Sequence, residues 1–161
     1  MTRRARIAFA VVVAAMVTIP LGTIAWNEWK LSSGKKVILQ VEPVDPLDPF
    51  RGEYVALSYS IGRLETPGLE PGETVYVPLQ KTGDHWSGLE PRATRPDGEV
   101  TFIRGRVTRP GRIEYGIETF YVEEGQARRY EDAIFRRRLD AKVVVDDDGK
   151  ARLDDLVIRP E

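Results

Sequence analysis

Glu53-Tyr54-Val55-Ala56-Leu57-Ser58-Tyr59-Ser60-Ile61 alternates between two faces, with Val55, Leu57, Tyr59 and Ile61 on one and Tyr54, Ala56, Ser58 and Ser60 on the other. A period of two is the signature of a β-strand with one buried side. Before it runs Pro43-Val44-Asp45-Pro46-Leu47-Asp48-Pro49-Phe50-Arg51-Gly52, in which three prolines fix φ and withhold three amide donors, so a stiff loop is expected. Upstream of that loop, Val37, Leu39 and Val41 alternate with Ile38 and Gln40, which predicts another strand with a strongly buried face.

Continuing toward the C-terminus, residues 62–73 carry Pro67, Gly68, Pro71 and Gly72 and read as a surface connection. Val75, Val77 and Leu79 then mark a strand, with Pro78 pointing to a sheet edge. Further strands are expected near residues 86–89, 100–107 and 112–117, divided by Pro96-Asp97-Gly98 and Pro110-Gly111 turns. Ala127, Tyr130 and Ile134, with Phe135 beside them, recur at helical spacing within 125–139 and predict one short amphipathic helix. Residues 141–145 and 153–158 flank Asp146-Asp147-Asp148-Gly149 and form a closing hairpin. The fold class expected is therefore mainly β: a compact antiparallel β domain with one short helix, spanning residues 36–161.

Ahead of this domain, residues 7–26 read IAFAVVVAAMVTIPLGTIAW without a charge. At 1.5 Å per residue such a helix covers about 30 Å, the thickness of a bilayer's hydrocarbon. Arg3, Arg4 and Arg6 precede it in a basic tail, residues 1–6, and positive flanks stay in the cytoplasm. Trp26 and Trp29 sit where the span would leave the membrane. The expectation is a retained single-pass signal-anchor in the cytoplasmic (inner) membrane, with the C-terminal domain outside. The alternative is a secreted or periplasmic chain cleaved after Thr23-Ile24-Ala25, since Pro20 could end the apolar stretch early. Thr2-Arg3-Arg4 is similar to a twin-arginine signal, but the charge of Arg6 falls where such signals become apolar, which favours ordinary insertion. Residues 27–35, with Ser32, Ser33 and Gly34, read as a linker.

The 161-residue chain has room for one such domain, and its formal net charge of −1 provides no overall field for nucleic acid. It has no cysteine, which removes disulfides, thiolate nucleophiles and zinc-thiolate sites. His85 is the only histidine, so a two-histidine metal motif is excluded. No cofactor and no metal are expected. Asp45 and Asp48, with Glu53, could offer oxygen ligands, but their spacing is no calcium loop, and aspartate before proline more commonly accepts a loop amide.

The run PVDPLDPFRGEYVALSY, residues 43–59, resembles the GDYXXLXY family, whose glycine, acid, tyrosine, leucine and tyrosine fall here on Gly52, Glu53, Tyr54, Leu57 and Tyr59. Tyr115-Gly116-Ile117-Glu118 and Phe120-Tyr121-Val122-Glu123-Glu124-Gly125 extend the likeness. Glu53 departs from the family's aspartate by one methylene. The resemblance implies a short membrane-anchored protein with no established catalytic residues, and an accessory role beside polytopic membrane proteins.

On the residues themselves, Arg51, Gly52, Glu53, Tyr54 and Tyr59 are a candidate recognition edge where the strand leaves the proline loop, and Asp45 and Asp48 a candidate polar loop. Arg128, Arg129, Arg136, Arg137 and Arg138 form a basic cluster, a candidate contact for anionic lipid heads or an acidic partner. The function expected is that of an extracytoplasmic binding or accessory module for a membrane or envelope protein. A membrane-tethered hydrolase using Ser32 or Ser33 with Lys35 or Lys36 is the alternative from another class. It fits poorly, because lysine in a flexible linker stays charged.

Overall fold

The computed structural model describes residues 3–32, 34–43, 54–123 and 125–160. They fall into two compact units, Met1–Ser33 and Gly34–Glu161.

The first unit is one helix, α1 (Arg3–Ser32). Pro20 lies inside it and does not end it; the hydroxyl of Thr23 donates to the carbonyl of Ile19 at 2.9 Å in the same stretch. Phe9, Val11, Met16, Ile19, Leu21 and Ile24, which point in all directions around the axis, are all exposed. Among the described residues no helix is long and apolar enough to cross a membrane. The expected linker 27–35 is shorter than its polarity implied. Glu28, Lys30 and Leu31 are good helix formers, and the helix continues through them to Ser32.

The second unit comprises β1 (Lys35–Glu42), β2 (Tyr54–Ala56), β3 (Ser58–Tyr59), a 3-10 turn (Ser60–Gly62), β4 (Thr74–Thr82), β5 (His85–Gly88), β6 (Phe102–Arg109), β7 (Arg112–Glu114), β8 (Thr119–Tyr121), α2 (Ala127–Phe135), β9 (Leu139–Val145) and β10 (Ala151–Ile158). One sheet has the order β10-β9-β1-β3, a second β5-β4-β6-β7, and β2 with β8 makes a two-stranded ribbon. Every pairing is antiparallel. The described residues form a β-rich structure with two helices.

Burial follows the alternation. Val37, Leu39 and Val41 of β1 meet Val75 and Val77 of β4, Ile103 and Val107 of β6, and Leu139, Ala141 and Val143 of β9 in one core. Gly34 starts the unit where a Cβ would lie 2.6 Å from Val144 Cγ1, so only glycine lets the chain enter beside β9. At the β9–β10 hairpin, Asp146 Oδ1 accepts the amides of Asp148 and Lys150, and Gly149 takes φ +77°.

Three expectations need correction. Residues 54–61, the described part of the strand expected over 53–61, are not one strand: Val55, Leu57, Tyr59 and Ile61 are all buried, but β2 pairs with β8 and β3 with β1. The chain passes from ribbon to sheet at Leu57, whose amide bonds the Glu118 carbonyl at 2.8 Å. Pro78 is not on an edge strand, since β4 lies between β5 and β6. It is tolerated because it sits where the ladder to β6 ends at Pro78–Phe102 and that to β5 begins at Leu79–Gly88, and its carbonyl accepts Leu89 N–H at 2.8 Å. Phe135 is 82% exposed, with Ala133 and Ile134 buried instead. One step of about 100° past Ile134 carries it off the inward stripe.

Leu57 is 3% exposed at the crossing point. Leu57→Ala should cost about 2 to 5 kcal/mol in urea unfolding. A cost near zero would place Leu57 outside the core.

Candidate functional site

Of the expected recognition edge, Arg51, Gly52 and Glu53 lie outside the described residues, as do Asp45 and Asp48 of the polar loop. Tyr59 does not belong to any edge. It is 2% exposed, and its hydroxyl donates to the carbonyl of Ile117 at 2.6 Å. Tyr115, 7% exposed, reaches the other way, its hydroxyl donating to the carbonyl of Ile61 at 2.5 Å. Each phenol thus closes on the carbonyl two residues past the other tyrosine. Leu57-Ser58-Tyr59-Ser60-Ile61 and Ile113-Glu114-Tyr115-Gly116-Ile117 share the spacing that makes this reciprocal clasp possible. Glu118 fastens it, its Oε1 accepting Tyr115 N–H at 2.6 Å and its carbonyl accepting Leu57 N–H. Burial first, and then the Glu118 charge, push both phenols well above their ordinary value.

Tyr54 is half-buried. It stands opposite Tyr121 in the ribbon, with ring centroids 6.2 Å apart, and Tyr121 is 78% exposed. Val55 and Phe120 turn the other way, and Phe120 meets Tyr130 of α2 edge-on at 6.1 Å. The ribbon is therefore held from beneath and shows tyrosine above.

The basic cluster divides. Arg128 and Arg129 are exposed on α2, whereas Arg138 turns inward, its Nε and Nη2 donating to the Arg159 carbonyl at 2.9 and 2.7 Å. Arg137 follows the end of α2, and its carbonyl accepts from Arg159 Nη2. Of the five arginines, Arg128, Arg129, Arg136 and Arg137 are exposed and Arg138 is partly buried.

A second polar group escaped sequence reading. His85 Nε2 lies 3.1 Å from Asp140 Oδ1, and Asp140 Oδ2 lies 3.3 Å from Arg159 Nε. Asp140 is 7% exposed. The three atoms His85 Nε2, Asp140 Oδ1 and Arg159 Nε are buried, close enough to attract but not aligned as hydrogen bonds. The carboxylate thus ties the β4–β5 hairpin and the C-terminal end to β9. Nothing local announces it, since its members stand far apart in sequence.

The family model for GDYXXLXY protein matches residues 16–156. The chain belongs to the GDYXXLXY family. Comparison with curated proteins and with solved structures gives no significant match. In this GDYXXLXY chain the described part of the motif separates by place: Leu57 and Tyr59 are core, and Tyr54 is half-buried beside the exposed Tyr121.

The described residues of the hydrolase alternative belong to different elements. Ser32 is the last residue of α1, Ser33 lies outside the described residues, and Lys35 opens β1 with its Nζ 5.3 Å from the centroid of the Trp86 ring. An ammonium over an indole face makes a favourable cation–π contact. Among the described residues no group of three His, Asp or Glu could hold a metal ion.

Because the folded state favours the protonated phenols, their stabilisation is complete below the unfolded value of about 10 and is lost as pH climbs past it. In an alkaline absorbance titration, Tyr59 and Tyr115 of the six tyrosines should ionise only as the chain unfolds. Reversible ionisation of all six with the near-ultraviolet dichroism intact would contradict the clasp.

Proposed function

We propose that this GDYXXLXY chain is a membrane-anchored module whose β-rich domain lies outside the cytoplasm and docks a membrane or envelope protein partner. The observation that carries the docking is a pair of exposed aromatics, Tyr121 at 78% and Phe135 at 82%. They stand on β8 and α2, and both of these elements pack against β2. Neither ring is required by the core, where Phe120 and Ile134 do the packing. Exposed aromatic side chains on a rigid frame are the side chains that most commonly anchor interfaces. Tyr54 beside Tyr121, and Arg128 and Arg129 on the same helix as Phe135, supply a polar surround.

Anchoring rests on the uncharged sequence 7–26 inside one continuous helix, with Arg3, Arg4 and Arg6 at its start. Phe9, Val11, Met16, Ile19, Leu21 and Ile24 of α1 are exposed, an arrangement that costs little in lipid and much in water.

Two measurements test the proposal. A reporter fused after Glu161 should work only if it is active outside the cytoplasm, and a cytoplasm-active fusion contradicts the topology. Tyr121→Ser with Phe135→Ser should reduce recovery of the partner from mild detergent, while stability shifts by under about 0.5 kcal/mol per site. Unchanged recovery would remove these aromatics from the interface.

A further inference from the structure

Arg137 has φ +55°, the one positive value outside glycine among the described residues. Its place explains the backbone. α2 ends at the C-cap Arg136, the Arg137 amide bonds the Ile134 carbonyl at 2.8 Å, and the Arg138 amide bonds the Ala133 carbonyl at 2.8 Å. This double closure of a helix end takes a left-handed residue at the position of Arg137, and glycine takes that conformation without steric cost. Arginine does not, because its Cβ crowds the backbone there. The Arg137 carbonyl accepts from Arg159 Nη2, a contact that any residue would supply. Its guanidinium has no ion pair or side-chain hydrogen bond among the described residues. Among the described residues, backbone and packing therefore give no reason for the side chain, and a residue held in a strained conformation without a local reason points to function.

A recess supplies that reason. It has a volume of about 330 Å³ and is lined by Gln40, Val41, Glu42, Pro43, Arg63 and Arg137. Arg63 is already fixed at its wall, with Nη1 3.3 Å from Glu42 Oε2 and Nη2 donating to the Pro43 carbonyl at 3.4 Å. Two guanidinium groups and one carboxylate leave the lining with one net positive charge. We propose that this recess is a carboxylate-binding site, in which Arg137 and Arg63 take the oxyanion. The planar guanidinium donates in a fork that matches a carboxylate or a phosphate. Glu42 separates the two, because a phosphate dianion would bring a second negative charge against it, whereas a monocarboxylate neutralises the lining. The ligand is a small free carboxylate or the C-terminal carboxylate of a protein segment. The site is independent of the aromatic pair Tyr121 and Phe135.

The test uses the full chain in detergent micelles, following the Nε–Hε resonances of Arg63 and Arg137 during titration with sodium propionate, triglycine, triglycine amide and inorganic phosphate. Saturable shifts with propionate and triglycine, and none with the amide, are expected. Tighter binding of triglycine than of propionate assigns the site to a protein C-terminus, and the reverse order assigns it to a free small carboxylate. Arg137→Gly should weaken carboxylate binding by about ten-fold or more, while the melting midpoint holds or rises. Arg137→Lys, which keeps the charge and loses the fork, should fall between the two. Equal binding by Arg137→Gly, equal shifts with the amide, tighter binding of phosphate than of propionate, or no saturation with any carboxylate would each overturn the assignment. A lower melting midpoint for Arg137→Gly would overturn its premise, since the side chain would then be holding the helix end.

Discussion

The β-rich unit depends on two buried hydroxyl-to-carbonyl bonds, Tyr59 to Ile117 and Tyr115 to Ile61. The segment 59–61 is the end of β3 and the turn after it, at the margin of the β10-β9-β1-β3 sheet. The segment 115–117 leaves β7 of the second sheet and leads into β8 of the ribbon. The clasp therefore stands where all three pieces meet, at a point where no ladder joins them. Each bond is worth about 0.5 to 1.5 kcal/mol net, but a carbonyl left orphaned in the core costs about 1 to 3 kcal/mol, so the pair matters more by its absence than by its presence. Raised phenol pKa values are the electrostatic face of the same burial.

Charge is handled on the same logic elsewhere. Asp140 is buried but stands between His85 and Arg159, so its carboxylate does not face an apolar wall alone. Removing one partner would leave a buried charge less compensated, which is why such groups hold geometry even where their net stabilisation is small. Arg138 meets the Arg159 carbonyl beside β10. These groups position the C-terminal end and leave the solvent face to Tyr121, Phe135, Arg128 and Arg129.

Periodicity carried most of the fold. The alternation of Val37, Leu39 and Val41 gave β1, and Asp148-Gly149 gave the last hairpin, because both signals are local. The split of 53–61 was hidden, since a period of two fixes which face is buried but not which partner each half pairs with. Pro78 misled for a related reason, as its missing donor excludes one hydrogen bond and not a central strand. Of the sites, the arginines were visible as composition, but only the helix end separates Arg137 from Arg138. His85 with Asp140 had no sequence signal, because tertiary folding alone brings them together. Tyr59 was grouped with Tyr54 by the motif, although the alternation already set the two on opposite faces, and burial follows the alternation.

That the two tyrosines act as one clasp is tested most directly by a double-mutant cycle on Tyr59→Phe and Tyr115→Phe, read by urea unfolding. Removing either hydroxyl loosens the segment that the other grips, so the double variant should depart from the sum of the singles by more than about 0.5 kcal/mol. Losses that add within that margin would mean two independent hydrogen bonds, and would contradict the account.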